Sequence, residues 1–187
     1  MAPLYTLFFI QLGFIVISLV LLRTSNVEFH LSASVPTVDD LFSIGLTFLG
    51  SLSILVGGTL VQSHFGQSPT SGVRALESTQ LIVAIAVVSV TLAPVAEELL
   101  FRGIIQGGLR SRFGAVVSII VASGLFGAAH ALNFSGAPLE VFSAVAIIAV
   151  VSIPYAISYE LTENLTIPIA SHALYNLTIN VLIFSVH

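Results

Sequence analysis

Two adjacent carboxylates, Glu97 and Glu98, and the guanidinium of Arg102 interrupt a long apolar stretch. An ionisable side chain at the centre of a membrane helix costs about 2.5–3.5 kcal/mol on insertion scales, so such groups mark pairing or function. Glu98 and Arg102 are four apart and share a helix face, the spacing of an ion pair. Glu97 is turned about 100° around the same helix and is aimed elsewhere. Two further pairs have helical spacing, Phe126 with His130 and His172 with Asn176. A carboxylate within reach of imidazoles can activate water. Histidine and asparagine can stabilise a developing oxyanion. Together these groups suit water attack on an amide. Singly, each has a structural reading. Glu98–Arg102 is then a buried salt bridge, Glu97 a helix–helix tie, His130 an interhelical donor, and His172 with Asn176 a hydrogen-bond latch.

The elements that must position them are membrane helices. The chain has 187 residues, 56% of them hydrophobic and only 7% charged. Soluble domains carry roughly 25% charged residues. At about 20 residues per span, the length suits one all-α, polytopic membrane helix bundle of about six transmembrane helices. We read residues 1–187 as a single membrane domain. The net charge of −4 comes from scattered acids, which implies no nucleic-acid partner. All five basic residues are Arg. The absence of cysteine excludes disulfides, thiolate metal sites and a cysteine nucleophile. No distinctive serine nucleophile motif is present, and Ser123, Ser152 and Ser171 read as packing residues.

Apolar runs place spans at 4–22, 41–61, from Thr79 through the Glu-Glu motif, and at 113–132, 139–158 and 166–186. There is no internal repeat. The first run lacks a basic leader and a small-residue cleavage site, so it reads as a transmembrane helix, not a removed signal peptide. His30, His64 and His187 fall in loops or at the terminus. Asn133 and Asn164 belong to turns. Arg23, Arg110 and Arg112 lie on one side and Arg74 on the other, which puts the turn after the third span in the cytoplasm.

If the third helix continues through Arg102 to Arg110, its turn lies near residues 111–114. Glu97 is then about 16 residues before that turn and His130 about 17 after it, at similar depth in antiparallel helices. Pro94 offers a kink before Glu97. The difficulty is His172, only about 6 residues into its span. It needs a tilted last helix or a re-entrant stretch through residues 159–168.

Three motifs, Glu97-Glu98-x-x-x-Arg102, Phe126-x-x-x-His130 and His172-x-x-x-Asn176, resemble in that order the CPBP family of intramembrane proteases. This group comprises type II CAAX prenyl proteases and the bacteriocin-processing, Abi-like proteins. The phrase running from Ala93-Pro94 through Glu97-Glu98 to Phe101-Arg102-Gly103 looks like the family's first motif in full. The resemblance covers roughly residues 79–180; the first two spans carry no matching signal. It implies a glutamic-type endopeptidase, CAAX-protease-like, acting on membrane-anchored peptide or protein substrates. By that resemblance Glu97 is the base, His130 positions the water, His172 and Asn176 form the oxyanion site, and Glu98 paired with Arg102 orients them. A prokaryotic plasma membrane is the expected location.

One Glu and two His would also make an open zinc site, with Glu97, His130 and His172 as ligands. There is no His-Glu-x-x-His helix, and the favoured reading needs no cofactor. Other classes stay open: a non-enzymatic membrane immunity or binding protein with the cluster as glue, or a proton-relaying transporter. The latter lacks the paired half-repeats common in such folds.

Overall fold

The computed structural model describes residues 2–24, 31–71 and 79–185. Glu28, His30, Arg74, Glu77 and His187 lie outside the described residues. The helices are α1 (Ala2–Thr24), α2 (Val38–His64), α3 (Thr79–Glu98), α4 (Gly107–Ala129), α5 (Pro138–Val151), α6 (Ile153–Thr162) and α7 (Thr166–Phe184). A π-helical stretch, Leu99–Gln106, joins α3 to α4 without a break. Among the described residues the only extended pairing is a two-residue antiparallel ladder between Thr70–Ser71 and Phe134–Ser135. The all-α membrane bundle expected from composition is therefore what forms.

Five continuous helical stretches are long and apolar enough to cross a membrane. The third, Thr79–Asn133, has 55 residues, twice what a bilayer needs. It folds back on itself at Gly114, whose φ of 78° lies in the left-handed region that glycine enters without a Cβ penalty. The turn expected at residues 111–114 is thus present, and it divides this stretch into two apolar helical arms. Phe101 and Phe126, on either side of that turn, meet at 5.2 Å between ring centroids.

Side-chain contacts give the direction of each crossing. Gln11 meets Glu97 and Phe14 meets Phe101, so α1 runs parallel to α3. Arg102 bonds the carbonyl of Ser152 and Gln106 that of Ala156, so α5 and α6 run parallel to α3 as well. Arg110 pairs with Glu160 one step further along. His172 meets Glu98, while Asn180 bonds Ser89, so α7 runs antiparallel. Arg23 therefore shares a face with Arg110 and Arg112, as the charge pattern suggested.

Element ends follow local chemistry. Thr37 and Asp40 form a capping box, with Thr37 N–H donating to Asp40 Oδ2 at 2.7 Å, which starts α2 three residues before the expected span. At its other end α2 runs on through His64, so His64 belongs to a helix's last turn and not to a loop. The stretch read as one helix at 139–158 is two. Pro154 has no N–H to continue the ladder, and the chain re-starts after Ser152 as α6. Glu163, with φ of 50°, ends α6, and Pro168 sits in the first turn of α7, where proline is tolerated.

Small residues let the helices close on one another. A Cβ on Gly127 would lie 2.6 Å from the Val145 carbonyl, so α4 and α5 touch backbone to backbone there. Two buried clusters flank the polar centre. One is Leu100, Phe101, Ile104 and Phe126; the other is Val151, Tyr155 and Tyr175.

Candidate active site

Glu97 and Glu98 end α3, and the wider π-helical winding begins at the next residue. Stretches of π-helix recur at functional sites, where the changed winding re-aims side chains. Here it runs beneath Arg102 and holds the guanidinium against the carboxylate one turn earlier. The Arg102 Nε lies 3.1 Å from Glu98 Oε2, and both side chains are fully buried. Burying a charge is expensive unless every face finds a partner. Arg102 donates from one terminal nitrogen to the Ser152 carbonyl at 2.9 Å. Its flat face lies 4.8 Å from the Phe126 ring centre and 5.8 Å from that of Tyr155. The other Glu98 oxygen, Oε1, lies 2.9 Å from His172 Nδ1. Glu98 is thus paired with Arg102 at one oxygen and with His172 at the other.

Glu97 lies in a different environment. Its Oε1 accepts from the Gln11 side-chain amide at 2.7 Å. Its Oε2 is buried and has no hydrogen-bond partner. That oxygen lies 3.8 Å from His130 Nε2 and 3.9 Å from His172 Nε2, between two imidazoles and bonded to neither. The equal depth expected of Glu97 and His130 is therefore found.

Each imidazole is fixed from behind. His130 Nδ1 lies 2.8 Å from the Phe126 carbonyl, which can only accept, so Nδ1 carries the proton. By the same reasoning His172 Nδ1 carries a proton toward the Glu98 carboxylate. In the neutral rings both Nε2 atoms then present lone pairs toward Glu97. Phe126 lies 4.7 Å from the His130 ring at a 30° tilt, and Tyr155 stacks on His172 at 5.1 Å and 13°. Phe126 therefore contacts both His130 and Arg102, which gives a physical reason for a phenylalanine one turn before the histidine. The site is dry except at one edge: the side chains of Glu97 and His172 are 6% and 5% exposed, that of His130 21%.

His172 is brought level with Glu98 by the packing of the α6–α7 connection, within the 159–168 stretch. The α6–α7 turn packs alongside the third helix, where a Cβ on Gly103 would lie 3.5 Å from Leu165. Asn164 anchors that turn to Ser34 through both its carbonyl and its amide. The last helix thus starts beside Gly103, and six residues bring His172 level with Glu98. Asn176 is one turn further along α7. Its amide donates to the Ser89 carbonyl of α3 at 2.7 Å and leaves a second N–H on the same nitrogen. The structure thus gathers Glu97, His130 and His172 around one point, with Asn176 a turn away.

Glu97, His130 and His172 have the donor chemistry of an open zinc site, and both Nδ1 atoms have the outer partners such ligands use. The spacing does not fit. Two ligands about 2.0–2.1 Å from a tetrahedral metal lie ~3.3 Å apart, against 3.8 and 3.9 Å here. Among the described residues no group of three His, Asp or Glu side chains is placed to hold a metal ion.

Sequence reasoning missed Gln11 and Tyr155. Gln11 carried a signal: it is a strongly polar side chain in the first apolar run, seven residues from Ser18, and both are buried on one face of α1. Tyr155 carried none, because nothing local places an aromatic ring against a histidine in another helix.

No curated protein and no solved structure matches the chain. A protein-family model described as type II CAAX prenyl endopeptidase Rce1-like matches residues 79–178, more than half of the 187 residues. The match begins with α3 and ends within α7, so it takes in Glu97, Glu98, Arg102, His130, His172 and Asn176. With its apolar crossings and this buried polar centre, the chain is an integral multi-pass membrane endopeptidase that belongs to the Rce1-like family of type II CAAX prenyl endopeptidases.

Proposed function

We propose that the chain hydrolyses peptide bonds of membrane-anchored substrates by a metal-independent, glutamic-type mechanism in which Glu97 is the general base. The observation that carries this reading is Glu97 Oε2: buried, unpartnered, and 3.8–3.9 Å from two imidazole nitrogens. Polar atoms at such separations are commonly bridged by water. A water held there gives one hydrogen to Glu97 and the other to His130 Nε2. As its oxygen attacks the scissile carbonyl carbon, Glu97 takes the first proton. The carbonyl oxygen becomes an oxyanion. The second N–H of Asn176 donates to that oxyanion; His172, its Nδ1 proton held by Glu98, lines the same site and would donate from Nε2 only as imidazolium. Glu97 then passes its proton to the leaving nitrogen as the carbon–nitrogen bond breaks.

The substrate class is a membrane-associated peptide or protein, CAAX-like by family, and its partner is the bilayer itself. We place the protein in a prokaryotic plasma membrane with the Gly114 turn cytoplasmic, on the count of Arg23, Arg110 and Arg112 at that face.

The test uses purified protein in liposomes with internally quenched peptides, one carrying an S-farnesyl cysteine followed by three residues and one tethered by an acyl chain alone. Cleavage by the parent and none by Glu97→Gln supports the reading. Cleavage that persists in Glu97→Gln removes Glu97 as base, and cleavage of the acyl-tethered peptide alone removes the prenyl preference. Loss of activity on exhaustive chelation, restored by zinc, would overturn the metal-independent mechanism.

A further inference from the structure

We propose that Gln11 is a positioning residue for the hydrolysis, through which α1 fixes the orientation of the base. This rests on Glu97 acting as that base. The helix lies wholly outside the region matched by the family model.

Gln11 is 2% exposed, on a helix whose apolar window is only 11% buried. Its amide nitrogen donates to Glu97 Oε1 at 2.7 Å, while its own carbonyl oxygen is buried without a partner. A buried amide left half satisfied is a poor device for stability, because the unpaired oxygen carries its full desolvation penalty. What the arrangement does achieve is asymmetry. A carboxylate has two equivalent oxygens and turns freely about its last torsion. The Gln11 N–H occupies one of them with a charge-assisted bond. Oε2 is left as the proton acceptor, in the one orientation that faces His130 Nε2 and His172 Nε2.

The donor is itself held in place. Phe14, one turn on, meets Phe101 edge to face at 5.7 Å, and Ser18 closes the next turn by bonding the Phe14 carbonyl at 2.8 Å. The charged and titratable groups around Glu97 are Glu98 and Arg102 from its own helix, His130 at the end of α4 and His172 from α7. Gln11 is the neutral member of the set, and it touches Glu97 without touching the face where substrate reacts.

The test compares the full chain in liposomes with Gln11→Met, which keeps length and apolar bulk but removes the donor. Circular dichroism and thermal melting establish that the variant folds. With the farnesylated quenched peptide, kcat falls roughly tenfold while KM changes by less than about twofold, the size of one charge-assisted hydrogen bond. Infrared spectroscopy without substrate gives an independent readout. The carboxylate stretching bands that vanish in Glu97→Gln shift in Gln11→Met, because one oxygen has lost its donor. Should Gln11→Met fail to fold, Gln11→Asn serves: its amide is one methylene short, and a smaller band shift and rate loss are expected. Parental kcat and unmoved bands in a folded variant overturn the positioning role while leaving Glu97→Gln inactive. Activity that survives Glu97→Gln instead overturns the base assignment on which the role rests.

Discussion

The two sides of the third helix at residues 97 and 98 differ in how completely they are satisfied. On the Glu98 side each carboxylate oxygen faces a partner, Arg102 Nε at 3.1 Å from Oε2 as an ion pair and His172 Nδ1 at 2.9 Å from Oε1, while Arg102 reaches the Ser152 carbonyl from one terminal nitrogen and leaves the other without a hydrogen bond. On the Glu97 side one oxygen is held and the other is not, with two imidazoles just out of reach. Adjacent residues of the same type have thus been given opposite tasks. A carboxylate with a guanidinium on one oxygen and an imidazole on the other fixes geometry. One with an unheld oxygen is free to react. The lesson is that a residue's role follows from which partners it lacks as much as from which it has.

That contrast makes predictions that can break it. The largest effect is expected on the reactive side, where Glu97→Gln lowers kcat by about 10²–10⁴-fold, the range of general acid–base catalysis. The same variant should melt at or near the parental temperature, since Glu97 Oε2 holds nothing. A folded Glu97→Gln with full activity would erase the distinction. On the saturated side the expected loss is in stability. Arg102→Met leaves Glu98 buried without its cation, with His172 as its remaining partner, which costs about 3–5 kcal/mol in unfolding from mixed micelles. Should Arg102→Met unfold like the parent while losing only activity, Glu98 and Arg102 belong with the chemistry and not with the scaffold.

Smaller effects sharpen the boundary. Gly127→Ala forces a methyl against the Val145 carbonyl and Ala149, and is expected to cost about 1–3 kcal/mol by overpacking. Because Gly127 lies between Phe126 and His130, activity should fall with stability there, and a loss of activity alone would show that the histidine has been moved. Least of all, Arg110→Ala removes a pair whose arginine is 51% exposed, and a change of about 0–1 kcal/mol is expected in the same unfolding assay. A larger loss would extend the saturated region to the membrane surface.

Much of this contrast was legible in the sequence because it is local. Glu98 and Arg102 are four positions apart and Glu97 is next to Glu98, so helical periodicity alone divides the pair. A turn near residues 111–114 could be read because the apolar sequence from Thr79 to Leu132 is too long to cross a bilayer unbroken. Other features were not legible. Pro154 pointed to a break at Ser152, yet the run was read as one span because hydropathy is blind to backbone hydrogen bonds. His172 looked too shallow because counting residues from a loop does not say which level of the neighbouring helix the loop packs against, and Leu165 at the start of α7 packs against Gly103. The π-helical winding of Leu99–Gln106 leaves no compositional trace, since it is selected by what its side chains must reach.

The sequence by itself determined the solvent, the fold class and the candidates: its apolar runs require helices in lipid, and its few polar groups within them must pair or react. Only the tertiary structure decided which oxygen of Glu97 is free, which nitrogen of each histidine faces it, and that a glutamine 86 residues away holds the other oxygen. Periodicity specifies the face of a helix to within a few tens of degrees. Hydrogen-bond partnership is decided over fractions of an ångström by the relative shift and rotation of whole helices. Those are properties of the packed bundle that no single segment carries.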